Sequence, residues 1–403
     1  MKTNNRKLRL IFLPVFFTLI VTGCKEDKIV PFENNTTPPG KVTNISVENQ
    51  PGAAKLTYTL PNDLDLLYVK AVYTLQSGKQ REIKSSYYIN SMVLDGFAES
   101  KEYEVKLYAV NRSETESESE IVTVSPLENP IWDVFRSIQI LPDFSGVKIT
   151  AENTSKANVA LEIIRKDHKG EWNPFLPYIY SSSQNIRQTT RGLDTIPETF
   201  GVTVRDKFLN YTDTVYGTVV PFYEELLDKS LFRQYNLPGD AKIQTVTGGI
   251  PLIWDNNIDH FAQRMLTDMV DQEPQFITID MGQLAKLSRI KIWNYSEYMS
   301  DGNHQFYYRG QTRHFEIWGS EQPDQDGSWD SWTKLGTFEN IKPSGLPYGQ
   351  TSNEDWDAAI AGFDYELDTD VSKVRYLRIK NLENWMGTTW FEILEISVYG
   401  DTR

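Results

Sequence analysis

The sequence predicts an all-β chain: two successive β-sandwiches followed by a larger β domain of different composition. Three observations carry the prediction. Short stretches of alternating apolar and polar residues, separated by turn residues, recur along most of the chain. The pattern of the first set returns about 95 residues later. Eight of the ten tryptophans fall after residue 250, which marks a third domain.

The chain opens with a leader. Lys2, Arg6, Lys7 and Arg9 place four cations and no acid in the first nine residues. Residues 10–21 are apolar apart from Thr18, too short a run for a bilayer core, which needs roughly 20 residues. This is the build of a cleavable signal peptide over residues 1–23. Val21-Thr22-Gly23-Cys24 resembles the lipobox of bacterial lipoproteins, which implies a lipid on Cys24. Lys25-Glu26-Asp27-Lys28 resembles the acidic export tetrad of Bacteroidota-type lipoproteins and implies the outer face of the outer membrane. Cys24 is the one cysteine, so the exported chain folds without an internal disulfide. Removing the four leader cations takes the formal charge from −14 to −18. Such an acidic chain, without basic blocks, argues against nucleic acid and against a surface that docks on anionic lipid. The lipid itself supplies the membrane attachment.

Residues 24–40 form a lipidated tether ending in a polar, proline-rich linker. Residues 41–127 alternate as strands, most clearly in Lys55-Leu56-Thr57-Tyr58-Thr59-Leu60 and Tyr103-Glu104-Val105-Lys106-Leu107. Leu94 followed by Tyr103 resembles the tyrosine corner of fibronectin type III domains. Gly146-Val147-Lys148-Ile149-Thr150 and Phe200-Gly201-Val202-Thr203-Val204 echo that set, which makes residues 130–221 a second fibronectin-like sandwich. The region from Trp172 to Arg191 fits the pattern poorly. Residues 222–240 read as a helical or irregular connector, in which Glu224 to Lys229 can make one or two turns before Pro238-Gly239.

Residues 241–403 carry three ordered motifs: Phe276 to Gly282, Arg375-Tyr376-Leu377-Arg378, and Glu395 to Gly400. Their order and spacing resemble the discoidin, or coagulation-factor type C, domain, a galactose-binding-like jelly roll. The whole arrangement resembles surface lipoproteins of polysaccharide-utilisation loci. That resemblance implies a non-catalytic, lipid-anchored glycan binder serving a neighbouring outer-membrane importer pair, with the sandwiches as spacers.

Sugar rings offer an apolar face for stacking and a hydroxyl rim for polar groups, so aromatic, polar loops are the candidates. Residues 294–309 supply Tyr298, His304, Tyr307 and Arg309; residues 384–390 supply Trp385 and Trp390. Residues 347–356 form a third loop, and Trp293 and Trp318 read as core. The discoidin resemblance also implies a structural calcium, with Asp255, Asn257 and Glu395 as its ligands, although Asn256 stands where that family's acidic motif has glycine. No zinc-ligand spacing, Gly-x-Ser-x-Gly elbow or phosphate loop is present, so no enzyme is expected. The alternatives are an adhesion or scaffold protein with a protein ligand, and a glycoside hydrolase, which requires two carboxylates facing each other across a cleft.

Overall fold

The computed structural model describes residues 34–270 and 273–403. The leader, Cys24 and the tetrad of Lys25, Glu26, Asp27 and Lys28 lie outside the described residues. The protein is an all-β multidomain chain that divides into two compact units after Asn129.

The first unit holds β1 (Thr43–Gln50), β2 (Ala53–Thr59), β3 (Leu66–Thr74), β4 (Gln80–Ser86), β5 (Ser91–Asp95), β6 (Tyr103–Asn111) and β7 (Glu120–Val124). They form a three-stranded sheet, β1-β2-β5, and a four-stranded sheet, β4-β3-β6-β7, all antiparallel. The period of two explains the core: Ala54, Leu56 and Tyr58 of β2 point inward against Val69, Ala71, Val105 and Leu107. The Tyr103 hydroxyl donates to the Glu99 carbonyl at 3.2 Å, the geometry of a tyrosine corner.

The second unit begins with α1 (Ile131–Ser137), β8 (Gln139–Asp143), β9 (Gly146–Glu152), β10 (Val159–Lys166), β11 (Trp172–Pro174), β12 (Ile179–Ser181), β13 (Asn185–Thr189), β14 (Glu198–Asp206) and β15 (Tyr211–Val219). β13-β9-β8 make one sheet; β11-β10-β14-β15, with β12 also on β10, make the other. The two echoed segments occupy equivalent places. β9 is the middle strand of its sheet, as β2 is, and β14 lies between β10 and β15, as β6 lies between β3 and β7. The poorly fitting region is a sheet edge divided between β11 and β12, which pair with opposite ends of β10.

The jelly roll follows within the same unit. Its elements are β16 (Glu225–Leu226), β17 (Arg233–Gln234), β18 (Met265–Leu266), β19 (Phe276–Trp293), β20 (Glu297–Tyr298), β21 (His304–Gln305), β22 (Thr312–Ser320), β23 (Thr333–Glu339), α2 (Asn353–Ala361), β24 (Phe363–Glu366), β25 (Val374–Asn384), β26 (Glu392–Ile393) and β27 (Glu395–Asp401). β19 pairs with β25 along its first half and with β24 and β27 along its second. The change of partner follows Ala285, just after a register shift that contains Gly282, whose φ of 70° suits glycine; a Cβ there would lie 2.5 Å from the Leu231 carbonyl oxygen. Asp280 holds the bend, accepting from Gly282 N at 2.8 Å and from two nitrogens of Arg375, each at 2.8 Å.

Of the helical and irregular readings of the connector, the structure has the irregular one, with two short strands and no α-helix. β16 adds to β27 and β17 adds to β19, with a 3-10 turn at Lys229–Leu231 between them. Leu227 and Phe232 are buried in the jelly-roll core, and that burial holds the segment extended. Glu224 joins the second sandwich to the jelly roll. Its carboxylate accepts from Arg191 of the sandwich at 2.7 Å and from the Ser288 hydroxyl of β19 at 2.6 Å, with Arg289 at 3.4 Å.

Candidate functional site

Loops from four parts of the jelly roll meet at one end. Ser296 N donates to the His260 carbonyl, Trp385 N to the Gln311 carbonyl, and Met386 N to the Arg309 carbonyl. Tyr307 and Arg309 both adopt positive φ, of 52° and 47°. Such strain persists only where the surroundings hold it. The buried Gln311 side chain does so: its oxygen accepts from Tyr307 N at 2.7 Å, and its nitrogen donates to the Tyr295 and Gln305 carbonyls. Nothing in the sequence pattern marks this glutamine.

The structure separates the predicted residues into two groups. Tyr298 is 59% exposed and pairs across the β20–β21 hairpin with His304. The His304 ring stands edge-on to Tyr298 at 5.2 Å and to Phe261 at 4.4 Å, and Phe261 is itself 61% exposed. His304 Nδ1 lies 3.0 Å from the Ser296 carbonyl, which fixes the ring. Arg309 reaches Glu297 at 3.6 Å, and its backbone N–H donates to the Tyr348 hydroxyl at 3.3 Å. Tyr348 in turn stacks on Tyr308 at 4.8 Å. Arg309 therefore stands between the two aromatic groups, its side chain on Glu297 and its backbone on Tyr348.

Tyr307 and Trp390 are corrected to core residues. Tyr307 is 1% exposed, and its hydroxyl donates to the Asp355 carbonyl while burial pushes its pKa up. Trp390 is 5% exposed and packs on Gly310 so closely that a Cβ there would lie 2.0 Å from the indole. Trp385 is half-buried, edge-on to Tyr307 at 5.3 Å, with Arg313 over its ring. The third loop winds around Lys342, whose ammonium donates to the carbonyls of Leu346, Pro347 and Gln350. Other tryptophans are also structural: Trp329 and Trp332, with Phe276, enclose the fully buried Arg378 guanidinium at 4.3–4.7 Å.

Beneath the exposed aromatics lies a polar layer that sequence reasoning missed. Arg264 bonds Glu392 and reaches Glu297 at 3.5 Å, with its guanidinium 3.9 Å from the Tyr295 ring centre. Glu392 is fully buried, and desolvation pushes its carboxyl well above the usual range. Both carboxylates are closed off beneath Arg264, with side-chain exposures of 4% and 0%, so a sugar cannot insert between them.

The expected calcium ligands do not fit a calcium ion. Glu395 is buried and bonded by the Lys229 ammonium, which already supplies a positive charge there. Burial pushes the Glu395 carboxyl up to about 7. Asp255 and Asn257 are exposed and serve consecutive turns: Asp255 accepts from Asn257 N at 2.8 Å, and Asn257 from Asp259 N at 3.0 Å. Among the described residues, no group of three or more His, Cys, Asp or Glu is placed to hold a metal. A cleft of about 630 Å³ between residues 239–242 and 273–276 lies apart from these aromatics.

The fold and this end of the jelly roll define a class: a chain of β-sandwich modules whose last domain presents aromatic and charged side chains on its loops. Three family models, each described as a domain of unknown function, match residues 39–126 (DUF4959), 127–230 (DUF5126) and 254–400 (DUF5000). The chain is 31% identical to the SusE-like protein BT2857, across 67% of this chain and 98% of that one, with a TM-score of 0.44. On that sequence identity, the chain belongs to the SusE-like family. It is also similar to the C-terminal domain of a chitobiase from Bacteroides fragilis (17% identity, 44% and 99% of the two chains, TM-score 0.31). A two-domain fibronectin type III segment of chicken tenascin is a further similar structure (13% identity, 45% and 99% of the two chains, TM-score 0.23). No curated protein matched the sequence.

Proposed function

We propose that this protein is a non-catalytic, cell-surface carbohydrate-binding lipoprotein that captures poly- or oligosaccharide at the loop end of its C-terminal, discoidin-like domain. The observation that carries the reading is the cluster of exposed Phe261 and Tyr298 around the half-buried His304, with Arg309 paired to Glu297 next to Tyr298. The aromatic faces suit the C–H side of a sugar ring, and Arg309 and the histidine suit its hydroxyls. Membership of the SusE-like family supports a role beside an outer-membrane glycan importer. The lipobox resemblance of residues 21–24 supports attachment to the outer membrane through lipid on Cys24.

The test is a glycan array followed by affinity electrophoresis of the full mature chain. A specific glycan signal that falls at least about tenfold in Tyr298→Ala and Phe261→Ala, with the fold intact, is the expected result. A protein ligand bound with no glycan of any class would refute it. Protease shaving of intact cells tests the location: a protected protein would contradict the surface reading.

A further inference from the structure

The outer face of the second sandwich carries a feature that the loop site does not explain. β10, β14 and β15 turn Leu161, Ile163, Phe200, Val202 and Val204 into the core, so their alternate residues face outward. On that side stand exposed aromatics where a free-standing sheet face is ordinarily polar. Trp172 lies 4.9 Å from Tyr216, and the two are 39% and 57% exposed. Gly201 lies against Tyr216, with an added Cβ 3.0 Å from the ring, so the phenol lies low over the sheet. Toward the other end of β10, Tyr178 and the 70% exposed Tyr180 flank Arg205, whose guanidinium is 4.8 and 5.5 Å from their rings. Thr203 and Thr214 share a 2.8 Å hydrogen bond across the face. A cleft of about 380 Å³ opens beside Tyr180 and Arg205.

We infer that this face is a second saccharide-binding surface, one that takes an extended polysaccharide bearing acidic groups. Aromatics set apart along a sheet match the repeated apolar faces of a sugar chain, and hydroxyls between them match its polar rim. Charge complementarity selects the acidic class. The chain as a whole has a net charge of −14, yet Lys166 lies over Trp172 and Arg205 over Tyr178 and Tyr180. Neither cation has a carboxylate partner within salt-bridge distance among the described residues. The acid facing them on β10 is Glu162, which acts on Tyr178. A carboxylate or sulfate on the sugar would supply the missing counter-charge. This surface is on a different domain from the loop site, and neither depends on the other.

Affinity electrophoresis of the full mature chain through polygalacturonate, chondroitin sulfate and neutral pullulan tests the inference. Retardation by one of the acidic polymers is expected, with little by pullulan. The double variant Trp172→Ala, Tyr216→Ala should weaken it about tenfold or more. Arg205→Gln, a change at a half-buried residue outside the sandwich core, should weaken it several-fold and reduce its salt sensitivity. Phe261→Ala and Tyr298→Ala should leave it unchanged, which separates this surface from the loop site. No retardation by either acidic polymer would overturn the inference. So would equal retardation by pullulan, or loss through the loop variants alone.

Discussion

The Lys229 ammonium rests on the buried Glu395 carboxylate, side-chain exposures 9% and 1%, and so ties the segment entering the jelly roll to its last strand. Removing the cation leaves a buried carboxylate without its partner, a change that typically costs about 3–5 kcal/mol. Lys229→Met should lower the urea midpoint by a corresponding amount. Millimolar calcium should leave the melting temperature of the wild type unchanged, since the site already holds an ammonium; a rise of several degrees would restore the metal reading.

The same carboxyl sets a pH dependence. Its folded value of about 7 stands above the ordinary 4.5. Between those values the folded state holds more protons than the unfolded one, so this group's contribution is fully present below 4.5 and is lost as pH rises through 7. Glu395→Gln should flatten that part of the stability profile in urea melts at pH 4.5 to 8.

Gly310 has no room for a side chain. Gly310→Ala would place a methyl 2.0 Å from the Trp390 indole and 2.6 Å from a second ring carbon. Overpacking of this kind costs about 1–3 kcal/mol, read as a lower thermal midpoint with altered tryptophan fluorescence.

Glu224 should determine whether the second sandwich and the jelly roll melt together. Both belong to one compact unit, and the carboxylate serves Arg191 on one side and Ser288 on the other. Glu224→Ala should destabilise by about 2–4 kcal/mol and split a shared calorimetric transition in two. An unchanged thermogram would show that the joint is held by other contacts.

Trp385 and Tyr298 should part company on substitution. Trp385 packs on Tyr307 and under Arg313, so Trp385→Ala should cost about 2–4 kcal/mol of stability. Tyr298 is exposed, so Tyr298→Ala should change stability by less than about 0.5 kcal/mol while reducing glycan retention.

Strand periodicity and turn chemistry act over a few residues, and so the strands and the repeat were legible in the sequence. β2 alternates inward and outward as Lys55-Leu56-Thr57-Tyr58 implies, and the echoed segments fall on equivalent strands. Tyr103 closes its corner because its partner carbonyl is only four residues away. The candidate site was legible only in part. The loop of Tyr298, His304 and Arg309 stood out by its length and its aromatic content. Which rings reach solvent depended on contacts with remote segments: Gly310 against Trp390, Asp355 against Tyr307, and Phe261 against His304. Composition alone showed that tryptophan is abundant, but only the packing around Arg378 shows that much of that abundance is structural. The sequence by itself determined the strands and their repeat, because those follow from local alternation. Tertiary structure alone decided that Lys229 meets Glu395, and that Gln311 holds the loop, because partners distant in the chain meet only once the sheets have closed.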